Sequence, residues 1–285
     1  MPTKVLDIHP HVITIDTQRY PRGPLGGNQS GWSRDRPITH EQMVLAMDEA
    51  GVHKSAIVQA STCYGFDNSY VADAVAAHPD RFTGVFSVDV LAPDAPERIK
   101  HWVGRKLTGL RLFTTGSTMP NQATWLDDPK TFPAWACARD LGIPVCVQMK
   151  QEGIPQLKVL LERFPDVRII IDHLMRPSLE SGPPYAEASG LFGLARYKNI
   201  FLKLTSNCVR DARKGAATPG SFFGRIVKEF GASRVAWGSN FPASEGTLRD
   251  ILTESKQALA FLPEQDQEWI FWRTAQALYP ALADR

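Results

Sequence analysis

Short apolar, β-branched runs alternate with helix-period segments along almost the whole chain, and this alternation restricts the fold more than any other feature. Lys4 to His9, Ser55 to Gln59, Phe82 to Val88, Gly109 to Leu112, Pro144 to Gln148, Val167 to Asp172, Ile200 to Leu204 and Val235 to Gly238 read as strands. Each is too continuously apolar for a sheet with one wet face, so parallel strands covered on both sides are expected. Helices are predicted over Asn68 to His78, Pro96 to Val103, Thr131 to Leu141, Ile154 to Phe164, Ser221 to Phe230 and Thr247 to Phe261, with a short one near Leu191. Another runs from Thr39 to Gly51, where Thr39-His40-Glu41-Gln42 has the form of a capping box. Eight strand–helix units in about 250 residues match a closed (β/α)8 barrel, an α/β TIM barrel, better than a doubly wound open sheet.

The 285 residues, 43% of them hydrophobic, can fill one such core, and no boundary is visible. Residues 1–285 therefore read as a single barrel domain with a C-terminal helix in the tail Pro263 to Leu282. Trp269, Phe271 and Trp272 of that tail are spaced to cover the barrel's outside or a partner subunit, which leaves a homo-oligomer open. A net charge of +2, without a basic stripe, argues against a nucleic-acid partner. Cys63, Cys137, Cys146 and Cys208 form no Cys-x-x-Cys pair and suit free thiols in a reducing compartment. Met1-Pro2-Thr3-Lys4 runs into the first strand without a signal-peptide apolar stretch, and no segment approaches membrane-spanning length. A cytoplasmic protein with no membrane partner is the expectation.

A barrel carries its chemistry at the carboxyl ends of its strands. The first strand ends in Asp7-Ile8-His9-Pro10-His11, where residues two apart share a face and both imidazoles can converge on a metal or a substrate. Later strands offer Ser87 and Asp89, Arg111, Gln148, Asp172 and His173, Thr205 and Asn207, and Ser239 and Asn240. Arg111 lies between Leu110 and Leu112, so it needs a buried partner, either a substrate carboxylate or an internal ion pair with Asp89 or Asp172. The Gly-, Pro- and Arg-rich stretch Val12 to Pro37 is long for a plain connection, and its Tyr20-Pro21-Arg22-Gly23-Pro24 suits a lid. Its Arg19, Arg22, Arg34 and Arg36 either meet an anion or are simply solvated.

Taken together, these strand ends resemble the amidohydrolase superfamily, in its branch of lactone hydrolases and related decarboxylases. The resemblance spans nearly the whole chain. It rests on Asp7-Ile8-His9-Pro10-His11, Gly109-Leu110-Arg111-Leu112, Ile171-Asp172-His173-Leu174-Met175-Arg176-Pro177, Leu202-Lys203-Leu204-Thr205 and Trp237-Gly238-Ser239-Asn240-Phe241-Pro242. The stretch after Asp172 looks like the 2-pyrone-4,6-dicarboxylate lactonase and sugar-lactonase group. The resemblance implies that His9, His11 and His173 hold a metal or polarise a substrate carbonyl directly, and that an aspartate ending strand eight activates water. This chain departs there, with Asn240, and an amide accepts no proton at neutral pH. Gln148 stands where many metal-dependent members have histidine, which disfavours a binuclear centre.

These residues point to a hydrolase of a small, anionic, carboxylated lactone or related cyclic ester. His9, His11, His173 and Asn240 would be its catalytic residues, and Arg111, Gln148, Arg176 and Thr205 would contact substrate. One divalent ion, Zn²⁺ or Mn²⁺, on His9, His11 and His173 and a metal-free site are both compatible with these residues. Asp89, Asp172, Glu245 and the histidines are the candidate bases. A metal-dependent decarboxylase or other lyase is the alternative enzyme class, and a catalytically degenerate barrel serving as a binding or partner subunit is the non-enzymatic one.

Overall fold

The structure, a computed structural model, describes residues 4–116 and 121–284; Met1-Pro2-Thr3, expected to lead into the first strand, lies outside the described residues. Eight parallel strands form one sheet in chain order: β1 Leu6–Asp7, β2 Lys54–Val58, β3 Phe82–Phe86, β4 Leu107–Phe113, β5 Val145–Gln148, β6 Ile169–Ile171, β7 Ile200–Thr205 and β8 Val235–Gly238. The seam between β8 and β1 is joined where the Ile8 N–H donates to the Trp237 carbonyl at 3.3 Å and the His11 N–H to the Phe241 carbonyl at 2.8 Å. This is the (β/α)8 barrel that the alternation predicts.

Strand alternation divides the apolar residues into two sets. Leu112, Val147, Ile171, Leu202, Leu204 and Trp237 belong to the layer that packs against the surrounding helices. Leu6, Ile8, Val58, Val85, Cys146, Ile170 and Ala236 form a second cluster, closed by Ala275, Leu278, Tyr279 and Leu282 from the tail. Phe271 and Trp269 join the outer layer, as expected of the tail, but its last turns instead plug the barrel's amino-terminal end, with Tyr279 fully buried and its hydroxyl 3.4 Å from Cys146 Sγ. The apolar plug leaves the opposite end for chemistry.

Local signals account for the helix ends. Thr39 Oγ1 accepts from the Gln42 N–H while Gln42 Oε1 accepts from the Thr39 N–H, and Gly51 closes that helix at φ 76°. Inside the stretch Val12 to Pro37, a short helix at Gly31–Asp35 brings Trp32 against His11, with ring centroids 5.1 Å apart. Several strands are shorter than their apolar runs, and two of them bear on the site. β1 stops at Asp7 and β6 at Ile171, because the residues that follow leave the ladder to serve the site.

Gly238, the last residue of β8, shows how tight the seam is: a Cβ there would lie 2.6 Å from His9 Cβ and 3.2 Å from the His9 backbone nitrogen. Gly238→Ala is expected to cost roughly 1–3 kcal/mol through overpacking at the seam. Urea unfolding checks this, and an unchanged midpoint would contradict such close packing.

Candidate active site

Asp7 does not face the histidines. Its Oδ1 accepts from the backbone N–H of His9 at 2.9 Å and of Ser239 at 2.8 Å, so a buried carboxylate fastens the ends of β1 and β8 together. Burial pushes its pKa up to about 6. The alternation expected over Asp7, His9 and His11 fails because the strand ends before His9.

At the centre of the barrel mouth lies Asp172, fully buried and held by two cations. Lys203 Nζ is 2.7 Å from Oδ1 and Arg111 Nε donates to Oδ2 at 2.7 Å. Arg111 also donates to Gln148 Oε1 at 2.7 Å and lies over the Phe113 ring. Of the two internal partners expected for Arg111, Asp172 is the one found; Asp89 is exposed. Burial alone would raise the Asp172 pKa, but the attraction of Lys203 and Arg111 outweighs it and holds the carboxyl below its ordinary range. Lys203 is the member of this cluster that sequence reasoning misses, although a lysine between Leu202 and Leu204 carries the same signal as Arg111 between two leucines.

Three neutral imidazoles surround this centre. His9 is wholly buried, its ring 4.9 Å from that of His11 and 4.8 Å from that of His173, and its Nδ1 is 2.9 Å from Lys203 Nζ. His11 Nδ1 lies 2.8 Å from the Val58 carbonyl, which can only accept, so the proton sits on Nδ1 and Nε2 keeps its lone pair. His173 Nδ1 is 2.9 Å from the Thr205 hydroxyl, which makes Thr205 a support for the histidine. Burial, reinforced by nearby cations, lowers all three pKa values, to about 3 for His11 and for His173.

The backbone that presents these groups is unusual. His173, Leu174, Met175 and Arg176 have φ between 47° and 61°, and Asn240 has φ 58°. Asn tolerates that region, but four successive other residues there store strain of the kind found at functional sites. Asn240 Nδ2 donates to Ser244 Oγ at 2.9 Å, leaving its carbonyl oxygen free for the cleft. Ser87 and Ser239 brace strand ends instead: the Ser87 carbonyl accepts from Asn68 Nδ2, and Ser239 Oγ accepts from the Phe241 N–H.

A cleft of about 390 Å³ opens over the site, lined by His11, Trp32, Arg111, Gln148, His173, Arg176, Asn207 and Asn240 among others. A second of about 660 Å³ adjoins it, sharing Gly116, Gln148, His173 and Arg176. Among the described residues, the lining of the first contains two arginines and no carboxylate. Arg176 is exposed, 3.4 Å from Asp211. The loop arginines are engaged elsewhere: Arg19 with Asp73, Arg22 with the Thr14 carbonyl, Arg34 with Asp35 and Arg36 with the Ala243 carbonyl. Glu245 is exposed.

His9, Asp172 and His173 offer ligand atoms within 4.8 Å of one another, a candidate metal triad in which Asp172 stands where the sequence suggested His11. The spacing suits a divalent ion, and the buried His9 Nε2 has no partner among the described residues. The hydrogen bonding does not suit one. A metal-bound histidine normally donates its other N–H to an acceptor, whereas His9 Nδ1 faces an ammonium, and both Asp172 oxygens already face cations. With Lys203 charged, the residues as arranged do not fit a divalent ion.

Neutral burial of three histidines makes the fold acid-sensitive. Their folded pKa values lie below the unfolded 6.5, so the unfolded chain takes up protons first and stability falls as pH drops below that value. Asp7 opposes this, since its raised pKa lets the folded state bind a proton as pH falls through about 6. At pH 5.5 the histidines lose roughly 1.3 kcal/mol each and Asp7 returns about 0.8, a net loss on the order of 3 kcal/mol against pH 7. Chemical denaturation at the two pH values tests this; equal stabilities would mean that the imidazoles are not held neutral.

The arrangement has relatives. A curated L-fucono-1,5-lactonase of Burkholderia ambifaria is 29% identical over 199 residues, 68% of this chain and 67% of that protein. A Pseudomonas putida structure assigned as a 2-pyrone-4,6-dicarboxylic acid hydrolase superposes with a TM-score of 0.78 at 19% identity, covering all of both chains. An Acinetobacter baumannii structure assigned the same activity, with citric acid bound, gives 0.73 at 19% identity over 97% of this chain and 99% of that one. At such identities the two structures establish the shared barrel. The amidohydrolase family model matches residues 7–281, from the Asp7 clamp to the plug, and the chain belongs to that family.

Proposed function

We propose that the protein hydrolyses a small carboxylated lactone or related cyclic ester. The observation that carries this reading is the charge of the barrel mouth: two buried cations share one buried carboxylate, and the smaller cleft over them is lined by Arg111 and Arg176 but by no carboxylate, the nearest acid to Arg176 being Asp211 at 3.4 Å. An anionic substrate supplies the missing negative charge. The lactonase relative and the dicarboxylic acid hydrolases of like fold point to the same substrate class.

In this reading the substrate carboxylate meets Arg176 and the free edge of Arg111, and the ester carbonyl lies against the imidazole of His173. Water adds to the carbonyl carbon, the ring C–O bond breaks, and the water's proton passes to the departing ring oxygen. His11 Nε2 is the acceptor for that proton in transit, because its Nδ1–H is tied to Val58 and its lone pair borders the cleft. Asn240 orients the water through its free carbonyl oxygen, a role an amide can fill although it cannot act as base. Asp172, locked between Lys203 and Arg111, is unsuited to proton transfer.

Steady-state assays against carboxylated and neutral lactones test this. Arg176→Ala should raise KM for carboxylated substrates about tenfold, the loss of one charge-assisted contact, and spare neutral ones. His11→Gln should lower kcat by roughly 10²–10⁴ with the fold intact. Asn240→Ala should reduce turnover less. Wild-type inactivity across the panel would refute lactone hydrolysis, and equal KM losses for both substrate types would remove Arg176 from the substrate site.

A further inference from the structure

The group that most needs an explanation is Lys203. It is fully buried in the middle of β7, and three acceptors surround its Nζ: Asp172 Oδ1 at 2.7 Å, His9 Nδ1 at 2.9 Å and Cys146 Sγ at 3.6 Å. An ammonium has no lone pair, so it can donate to His9 and Cys146 while its charge faces the Asp172 carboxylate in an ion pair. Asp172 supplies the countercharge, which a buried ammonium requires.

This arrangement fixes the state of a second residue. When His9 Nδ1 accepts from an ammonium, the single proton of the neutral ring must sit on Nε2. That N–H is buried without a partner among the described residues, beside rings of His11 and His173 that border the cleft. A buried donor left unpaired costs about 1–3 kcal/mol, which an arriving oxygen acceptor recovers. His11 is fixed in the opposite sense, with its proton on Nδ1. Two neighbouring imidazoles thus present one donor and one lone pair.

We infer that Lys203 is the resident cation of this site and a positioning residue: it holds Asp172 and fixes His9 as an Nε2–H donor, occupying atoms that a divalent ion would need. Lys203 acts within the site of the proposed hydrolysis, but its role does not rest on that substrate, because it is read from tautomers and metal retention rather than from turnover.

The test is long-range ¹H–¹⁵N histidine spectroscopy on the full-length protein, with His9→Gln identifying the His9 signals, together with zinc titration followed by dialysis. Wild-type His9 should show the Nε2–H pattern and His11 the Nδ1–H pattern, and zinc should be retained well below stoichiometry. In Lys203→Met, His9 should lose its Nε2–H preference and zinc affinity should rise by about tenfold or more, the scale on which groups behind the ligands control metal binding. His9 in the Nδ1–H form in the wild type, or stoichiometric zinc that shifts the His9 signals, would overturn the inference. So would an unchanged His9 tautomer in folded Lys203→Met. If that variant fails to fold, the wild-type spectrum and zinc retention decide alone.

Discussion

Two buried cations on one buried carboxylate set the terms for the rest of the barrel mouth. Removing one partner from such a group costs about 3–5 kcal/mol, because a charge is then left unpaired in a poorly polarisable interior. Lys203, Arg111 and Asp172 come from β7, β4 and the end of β6, so this one cluster fixes three strands in register around the site. It also cannot reach neutrality by itself. The surplus positive charge lowers the basicity of the nearby imidazoles.

The second constraint is the seam. Asp7 spends a carboxylate on two backbone N–H groups where β8 meets β1, and Gly238 lets the two strand ends approach within van der Waals reach of His9. An acid beside two histidines is thereby structural, and the histidines are aimed by backbone that has already left the sheet. The left-handed turn at His173 to Arg176 acts likewise on the opposite side, directing His173 towards His9 and Arg176 towards the cleft.

Much of this was legible in the sequence because the barrel is built from local signals. Every predicted strand is present, and the Thr39 capping box and the Gly51 stop are where the residues place them. The site was legible wherever a polar residue interrupted an apolar run, as at Arg111 and Asp172. What stayed hidden were contacts between distant strands. Nothing in Asp7-Ile8-His9 announces that Asp7 reaches Ser239, and the left-handed turn has no glycine to mark it. Lys203 was visible by the same rule as Arg111, but its importance lies in His9, 194 positions away, and in Asp172 at the end of the neighbouring strand.

The tail has a consequence for how this centre becomes dry. Tyr279 touches Cys146, and Cys146 is within 3.6 Å of Lys203, so a single layer of side chains separates the charged cluster from the plugged end of the barrel. Residues 275 to 282 come after all eight strands in the chain. Without them water would reach the cluster from below and weaken the attraction between its charges. The strength of the charges at the mouth therefore depends on residues at the far end of the barrel that line neither cleft over the site.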